Sequence, residues 1–284
     1  MKEKVIVKIT GGVGNQLFQY SFARFLKFKL LKSTFLDLGF YDVSKNRMFE
    51  LGIVDLDIEV DNSFNYYSRN LNKLVIFFLT LIQEKILGNK ILVESKSDSK
   101  LLFSPKVTFF DGYWQCLKYA EYSKTFIKKV LLNLDLGPLN DYQNKIETCE
   151  SVCLHVRRGD YTNEVFKERY LICNSNYFTD SEEYLIKKVK KELTIFIFSD
   201  DVEWVKENIK FSSKIVYVDN YNINSLCYIK LMTLCKHFII PNSTFSWWGA
   251  FLTESEGYVL LPDRLEKNVY NNLIASDKWI LRKT

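Results

Sequence analysis

The regular alternation of apolar strands and amphipathic helices after residue 150 constrains this chain more than any other feature. Strand and helix patterns alternate there at a spacing typical of a parallel, doubly wound α/β domain. The strand candidates are 151–156, 194–198, 214–218, 237–240 and 258–261. The helix candidates are 176–191, 201–209, 223–235 and 243–253. We therefore predict one such domain in the second half.

The first half shows the same alternation less regularly. A strand pattern at Val5–Ile9 ends at a glycine-rich turn, and a helix pattern begins at Asn15. Further candidates are strands at 34–38 and 106–110, a helix at 113–132, and a helix-rich, partly basic region at 64–90.

Two domains of this kind account for the 284 residues of the chain. The segment 134–143 (LDLGPLNDYQ) contains a Gly-Pro pair and shows no clear period, which makes it the best linker candidate. We predict an N-terminal domain at 1–140 and a C-terminal domain at 141–284, with a cleft between them.

Composition excludes several functional classes. Apolar residues make up 47% of the chain, which is ample core material and excludes disorder. The net charge of +5 is too mild for a dedicated nucleic-acid binder, and two His cannot supply a His-rich metal site. The six Cys show no C-x-x-C pair, so we expect reduced thiols in a cytoplasmic protein. The opening MKEKVIVKIT enters a strand pattern at once, so no signal peptide is expected.

The basic charge and the longest apolar run both fall in the first half. Residues 1–142 carry the whole charge excess, and Phe64–Lys100 holds six Lys+Arg against three Asp+Glu. The run Leu74–Ile82 is about half of the roughly 20 residues that a spanning helix needs, which favours a buried core helix. The alternative is a helix at a membrane surface. On that alternative, we hypothesise peripheral contact of this face with anionic lipid.

Polar residues gather directly after four of the predicted strands. Ligands of open α/β sheets bind outside the carboxyl ends of the strands, so these clusters indicate a ligand cleft. The clusters are Gly11–Gln16, His155–Tyr161, Ser199–Asp201 and Asn242–Gly249.

The cluster after the strand at 151–156 carries two adjacent arginines. Adjacent strand residues point to opposite sides, so one of Arg157 and Arg158 is expected to face a ligand and the other to support the structure. An arginine there can grip a diphosphate with two parallel hydrogen bonds. The alternative is a structural ion pair of either arginine with Asp160.

Each of the other three clusters allows two interpretations. The residues of 242–246 either bind an anion at a helix start or only cap that helix. Asp200 and Asp201 either accept hydrogen bonds from a ribose or a base edge, or cap the next helix. The glycines of 11–14 either let the backbone approach a ligand or form an ordinary tight turn.

Five segments together resemble one enzyme family. They are GGVGNQLFQYSFARFL, GYWQ, HVRRGDY, FIFSDDVEWVKENI and CKHFIIPNSTFSWWGAFL, and they run from Gly11 to Leu252. In this order the chain resembles the bacterial α-1,2-fucosyltransferases, family 11 of the glycosyltransferases. The resemblance implies a GT-B fold, with two Rossmann-like domains facing across a cleft. It also implies inverting transfer of L-fucose from GDP-fucose to the 2-hydroxyl of a terminal β-galactoside, without a metal or another cofactor.

The resemblance further implies roles for single residues. Domain 1–140 would take the acceptor, and domain 141–284 would bind the GDP-sugar. Arg157 would contact the donor pyrophosphate with Arg158 beside it, and Asn15 would face the fucosyl–phosphate bond. His155 and Asp160 are candidates for the base by residue type, although His155 fits equally well as a support for the arginine loop. The other expected donor-binding residues are Gly12, Gly14, Gln16, Asp200, Asp201, Asn242, Ser243, Thr244, Phe245 and Ser246.

Three positions depart from the family pattern. Pro241 stands where Ala is usual, Thr244 stands in place of the second Ser of the motif, and Tyr228 stands where an acidic residue is common. These departures leave donor preference open. A GT-B transferase for GDP-mannose or a UDP-sugar is therefore a second hypothesis, and a non-catalytic carbohydrate- or nucleotide-binding module is a third. Family members commonly decorate lipid-linked O-antigen or related surface glycans from the cytoplasmic side. We expect a galactose-terminated acceptor of this kind, bound by loops within 40–105.

Overall fold

The computed structural model describes residues 4–62, 90–94, 107–159, 172–266, 269–270 and 274–284. The chain forms two compact units, Met1–Val130 and Leu131–Thr284. The apolar run Leu74–Ile82, nearly all of the helix-rich region at 64–90, and Asp160 lie outside the described residues. The acceptor-side and donor-binding roles of the two domains remain predictions.

The first unit contains a four-stranded sheet. Its strands are β1 (Lys4–Lys8), β2 (Ser33–Asp37), β3 (Lys90–Val93) and β4 (Val107–Asp111). They lie in the order β2-β1-β4-β3, and every pairing is parallel, so all four carboxyl ends lie along one edge. The inner strand β1 has almost no exposed surface at Val5, Ile6 and Val7, as expected of a strand covered on both faces.

Aromatic contacts hold the first helix of this unit against its sheet. Gly11 has a φ of +78°, a left-handed conformation that favours glycine, and the turn delivers the chain from β1 into the helix. Phe22 of that helix stacks on Trp114 with 4.3 Å between ring centroids. The helices are α1 (Val13–Arg24), extended by a π-helical turn at Phe25–Lys29, then α2 (Phe40–Val43), a 3₁₀ turn at Glu50–Ile53, and α3 (Leu117–Leu132).

The second unit is built on a six-stranded sheet. Its strands are β5 (Glu150–Val156), β6 (Leu193–Ser199), β7 (Lys214–Tyr217), β8 (His237–Ile239), β9 (Val259–Pro262) and β12 (Ile280–Arg282). They lie in the order β12-β9-β8-β5-β6-β7, and all of the pairings are parallel. A separate antiparallel pair is formed by β10 (Arg264–Glu266) and β11 (Val269–Tyr270).

The helices of the second unit fall where the sequence pattern predicts them, with one exception. They are α4 (Asn140–Glu147), α5 (Ser175–Val189), α6 (Val202–Asn208), α7 (Ser225–Thr233) and α8 (Thr244–Leu252). The exception is 134–143, where the predicted linker is wrong. A 3₁₀ turn at Gly137–Leu139 leads directly into α4. Leu136, Leu139 and Tyr142 are buried in the core of the unit, so this segment is a packed part of it.

Two apolar layers sandwich the second sheet. Cys153 of β5 belongs to one layer, while its neighbours Val152 and Leu154 belong to the other, because successive strand residues point to opposite faces. After β5, the chain forms β6 and β7 on one side of that strand, and then crosses back to form β8 on its other side. The reversal point between β5 and β8 is where open α/β sheets bind ligands.

Candidate functional site

Strand register brings the arginine and aspartate clusters together. The last residue of β5, Val156, pairs with the last residue of β6, Ser199. The two strands therefore end level, and Arg157-Arg158 and Asp200-Asp201 follow side by side. In this way two pairs of charged side chains, distant in sequence, meet at the carboxyl edge of the sheet.

Asp200 holds Arg157 through an ion pair. The Arg157 Nη1 and Asp200 Oδ2 atoms are 2.7 Å apart, and each side chain is 24% exposed. The other carboxylate oxygen, Oδ1, accepts the backbone N–H of Arg158 at 2.9 Å. A Cβ on Gly159 would lie 2.5 Å from Asp200 Oδ2, so only glycine lets the loop pass this close. Asp200 thus fixes both the Arg157 guanidinium and the backbone of the next residue, Arg158.

Arg158 is fixed separately by Asp201 and Trp204. Its Nε lies 3.3 Å from Asp201 Oδ2, and its guanidinium lies 3.8 Å from the centre of the Trp204 ring. Asp201 also caps α6, because its Oδ1 accepts the Trp204 N–H at 3.1 Å. The capping interpretation of Asp201 is therefore confirmed. Contacts of Asp200 and Asp201 with ribose or guanine stay predictions.

A buried hydrogen bond joins β5 to α8 at the reversal point of the sheet. His155, the second-last residue of β5, and Ser246, in the first turn of α8, lie with Nδ1 and Oγ 2.7 Å apart. His155 is 4% exposed and Ser246 is fully buried. Phe245 makes an edge contact with the imidazole at 5.6 Å. The bond ties the strand that carries the arginines to the helix that follows β8.

The surroundings of His155 favour a neutral imidazole. Burial, together with the charge of Arg157, lowers the pKa of His155 to about 3. A general base must reach the proton that it abstracts, and this ring is covered and already bonded to Ser246. The geometry favours the supporting role for His155 over the role of base.

The helix start after β8 lies next to this bond. Ser243 is the N-cap residue of α8, yet its side chain makes no capping hydrogen bond. Its carbonyl accepts the Trp247 N–H at 3.1 Å, which is the first hydrogen bond of the helix. Asn242 and Ser243 are each 8% exposed. Contacts of Asn242, Ser243, Thr244 and Phe245 with a donor remain predictions.

Tyr228, at the position where the family pattern leads us to expect an acidic residue, supports the loop after β7. Its hydroxyl accepts the Tyr221 N–H at 2.5 Å and donates to the Asp219 carbonyl at 3.2 Å. Tyr142 donates to the Asp219 carboxylate from another side at 2.7 Å. The two tyrosines hold the loop through hydrogen bonds to its backbone at Asp219 and Tyr221 and to the Asp219 carboxylate.

In the first unit, the buried Gln16 side chain holds the glycine turn in place through hydrogen bonds. Its side chain is fully buried. The amide nitrogen donates to the carbonyls of Gly11 at 3.1 Å and Met48 at 2.8 Å, and the amide oxygen accepts the Glu50 N–H at 2.9 Å. The structure therefore gives Gln16 a positioning role. Donor contact by Gln16, Gly12 or Gly14 stays a prediction.

Two residues beside the glycine turn were not assigned from the sequence. Gln115 donates from Nε2 to the Asn15 Oδ1 at 3.0 Å and so orients the Asn15 amide. Glu94 follows β3, and its Oε2 accepts the N–H groups of Tyr113 at 2.6 Å and Trp114 at 3.0 Å. The GYWQ motif was the available signal for this loop, since it holds Tyr113, Trp114 and Gln115.

Among the described residues, no three His, Cys, Asp or Glu side chains are grouped so that they could hold a metal ion. In the same stretches, no helix has the length and apolarity needed to cross a membrane.

Solved structures with the same fold are glycosyltransferases. The NodZ α-1,6-fucosyltransferase of Bradyrhizobium aligns over 89% of this chain and 93% of its own, with a TM-score of 0.50 and 13% identity. Arabidopsis thaliana FUT1 in complex with GDP aligns over 91% of this chain and 70% of its own, with a TM-score of 0.52 and 13% identity. At such identities the likeness shows the fold alone. That fold is GT-B, with two Rossmann-like domains, as predicted.

Sequence comparison narrows this class to a family. The sequence model of Glycosyl transferase family 11 matches residues 89–281. The alpha-1,2-colitosyltransferase of Escherichia coli is 30% identical over 97% of this chain and 98% of its own length. The O-antigen biosynthesis glycosyltransferase WbnK of Escherichia coli is 29% identical over 96% and 98%. The chain belongs to glycosyltransferase family 11, as its motifs implied.

Proposed function

We propose that this protein is an inverting fucosyltransferase that moves L-fucose from GDP-fucose to the 2-hydroxyl of a terminal β-galactoside. The observation that carries the proposal is the Arg157–Asp200 pair at the carboxyl ends of β5 and β6, next to the reversal point of the second sheet, in a chain of family 11. A relative over 48% of this chain, the galactoside alpha-(1,2)-fucosyltransferase 1 of Ateles belzebuth, is 30% identical and supports the linkage.

The chemistry requires a stabilised leaving group. The diphosphate gains negative charge as the bond to the sugar breaks, and a fixed cation stabilises that charge without reorganisation. Arg157 supplies this cation, and the N–H groups at the start of α8 add a favourable field beside it. Because arginine carries its charge at every relevant pH, we propose transfer that needs no metal.

The acceptor is proposed to be a galactose-terminated surface glycan of the O-antigen type. The name of the Escherichia coli relative WbnK supports this class of product. A lipid-linked acceptor made at the inner face of the membrane would bring the protein to that surface. Flotation with anionic vesicles at low salt tests this contact, and recovery of the protein in the vesicle-free fraction would contradict it.

Transfer of colitose is a second candidate. Colitose is L-fucose without the 3-hydroxyl, and a relative that covers 97% of this chain is named an alpha-1,2-colitosyltransferase. The two donors differ by one hydroxyl group. A site that hydrogen-bonds this hydroxyl discriminates strongly against the donor that lacks it, whereas an apolar site does not.

A transfer assay tests these proposals together. Purified protein is incubated with GDP-fucose, GDP-colitose, GDP-mannose or a UDP-sugar, against a small set of β-galactosides, with and without EDTA. We expect α-1,2-linked product from GDP-fucose, unchanged by EDTA, with the anomer assigned by NMR. Product from GDP-colitose alone would favour the second candidate. Donor binding without any product would indicate a non-catalytic module.

A further inference from the structure

The carboxyl edge of the second sheet carries a further acidic residue, Asp219, two residues after the end of β7. Tyr217 of β7 pairs with Ile197 of β6, and the Val218 N–H donates to the Ile197 carbonyl at 3.0 Å. In this register Asp219 lies level with Ser199, the last residue of β6. The carboxyl ends of β5, β6 and β7 therefore form one row, and acidic or basic residues follow each of them.

The position of each strand end in this row corresponds to one part of a nucleotide. In Rossmann-type domains the diphosphate lies at the reversal point, and an acidic residue after the next strand binds the ribose. The proposed GDP would therefore extend from Arg157 after β5, past Asp200 after β6, toward Asp219. Neighbouring strands lie about 4.8 Å apart, so the ends of β5 and β7 are about 10 Å apart. An extended nucleoside diphosphate spans about this distance, with its base at the end of β7.

The two aspartates after β6 already bind protein groups through both carboxylate oxygens. Asp200 accepts hydrogen bonds from the Arg157 guanidinium and from the Arg158 N–H. Asp201 accepts hydrogen bonds from Arg158 Nε and from the Trp204 N–H. Their remaining lone pairs suffice for a ribose hydroxyl, whereas two adjacent donors on a base require a less occupied carboxylate.

Asp219 is a carboxylate of that kind. Its side chain is exposed, and the hydroxyl groups of Tyr142 and Tyr221 both donate to Oδ2, at 2.7 and 3.3 Å. Among the described residues, none donates a hydrogen bond to Oδ1. The backbone of Asp219 is fixed as well, since its N–H donates to the Tyr142 hydroxyl and its carbonyl accepts the Tyr228 hydroxyl, both at 3.2 Å. One oxygen is thus anchored, and the other is left to accept hydrogen bonds from a ligand.

We propose that Asp219 binds the base of the donor and selects guanine. This inference rests on the proposed function, in which GDP-fucose is the donor. Guanine is the one common base with two adjacent donors, N1–H and the 2-amino group, on its Watson–Crick edge, and a carboxylate accepts both. Uracil instead presents N3–H between two carbonyl oxygens, which the Asp219 carboxylate repels. Asp219 thereby also discriminates against a UDP-sugar.

Inosine diphosphate (IDP) tests the contact, because it lacks only the 2-amino group of GDP. We expect the wild-type full chain to bind GDP about tenfold or more tightly than IDP, which corresponds to one hydrogen bond to a charged group. In Asp219→Asn the ratio of the two Kd values should fall toward one. Isothermal titration calorimetry measures both nucleotides. A wild-type ratio below about threefold, or an unchanged ratio in the variant, overturns the proposal.

Xanthosine diphosphate (XDP) provides a gain of affinity, which a misfolded variant cannot produce. Xanthine carries a carbonyl in place of the 2-amino group, and the side-chain amide of an asparagine donates to it. Asp219→Asn should therefore bind XDP about tenfold more tightly than the wild type does. If the variant binds neither GDP nor IDP, this measurement decides, and an absence of XDP binding overturns the proposal.

Tyr228→Phe is the matched control for support of the loop. The variant loses the hydroxyl that binds the Tyr221 N–H and the Asp219 carbonyl, but it keeps the carboxylate. GDP and IDP should weaken in the same proportion, so their ratio should stay at the wild-type value. A ratio that falls as far as in Asp219→Asn would show that it reports the shape of the loop, and would overturn direct contact with the base.

The same titrations separate this inference from the proposed function. A wild-type protein that binds neither GDP nor IDP overturns both. A wild type that prefers GDP over IDP but transfers no fucose overturns the proposed function and supports this inference. A wild type that transfers fucose but binds GDP and IDP equally overturns this inference alone.

Discussion

The carboxyl edges of the two sheets present different kinds of polar group. The edge of the second sheet carries two arginines and two aspartates in ion pairs. The edge of the first sheet carries an amide network of Gln16, Asn15 and Gln115 around a glycine turn. Both edges are fixed by contacts within their own unit, so each is preorganised before a ligand arrives.

This difference matches the chemistry of the two proposed substrates. A nucleoside diphosphate carries concentrated negative charge, which a fixed guanidinium stabilises. The hydroxyl groups of the transferred sugar and of the acceptor are neutral, and side-chain amides can bind them without a large desolvation cost. Substitutions at the charged edge should therefore change GDP binding and the chemical step, whereas substitutions at the amide edge should change transfer and leave GDP affinity unchanged.

The largest expected effect is that of Arg157→Ala. Removal of this cation should reduce transfer at least about 100-fold, in line with the loss of one preorganised charge from a leaving-group site. Steady-state transfer from GDP-fucose is the measurement. Retention of more than a tenth of the rate would remove Arg157 from the mechanism.

Arg158→Ala is the matched control for that measurement. Arg158 is held by Asp201 and Trp204, so its loss should destabilise the unit by about 1 kcal/mol and reduce transfer less than the loss of Arg157. Equal losses of transfer in the two variants would show that the arginines share the contact.

Gln16→Ala should cause the largest loss of stability at the amide edge. The substitution removes three hydrogen bonds of a buried amide, to the carbonyls of Gly11 and Met48 and from the Glu50 N–H, which costs about 3 kcal/mol. Urea unfolding measures this cost. A loss below about 1 kcal/mol would indicate that water or neighbouring groups replace the amide.

Acid should destabilise the charged edge through His155. Its pKa is about 3 in the folded protein and near 6.5 in the unfolded chain, so below pH 6.5 the unfolded chain takes up a proton that the native state does not. The contribution of this group is therefore full above pH 6.5 and is lost as the pH falls. The loss is on the order of 2 kcal/mol between pH 6.5 and 4.5.

Unfolding of His155→Gln at these two pH values isolates that effect. The variant should lose less stability on acidification than the wild type. His237→Gln is the control, because burial lowers the pKa of His237 while Glu150, 3.1 Å away, opposes the shift. Identical acid sensitivity in wild type and His155→Gln would contradict a neutral, buried His155.

The smallest expected effect is that of Gln115→Ala. The Asn15 amide loses its orienting partner, which should reduce transfer about tenfold, or about 1.4 kcal/mol of barrier. GDP affinity, measured by calorimetry, should stay unchanged. Weaker GDP binding in this variant would show that the amide edge also contributes to GDP binding, and would contradict the comparison.

Much of the second unit follows from the sequence, because strands buried on both faces read as continuous apolar runs. The short edge strand β12 (Ile280–Arg282) was not predicted, since its residues are partly exposed and one is charged. The segment at 134–143 was wrongly predicted to be a linker because a Gly-Pro pair is typical of turns and loops. The proline instead lies in the first turn of a 3₁₀ helix, where its missing N–H costs nothing.

The site was predicted in its residues but not in its contacts. The motifs identified Arg157, Arg158, Asp200 and Asp201, yet Asp160 was the one partner considered for a structural ion pair. Their described pairing depends on the register that sets Val156 opposite Ser199, and strand register is not legible in one sequence. Glu94 was missed for a similar reason, because its loop contacts depend on the pairing of Val93 with Asp111.

The bond between His155 and Ser246 also bears on how the second unit assembles. Its two residues are 91 positions apart, whereas β5 and β6 are joined by a shorter connection. Contacts between distant residues form late, since the intervening chain must be ordered first. We expect the arginine-bearing strand end to reach its final geometry only after α8 has docked. The fully folded unit should therefore bind the nucleotide, and partly folded chains should bind no donor sugar.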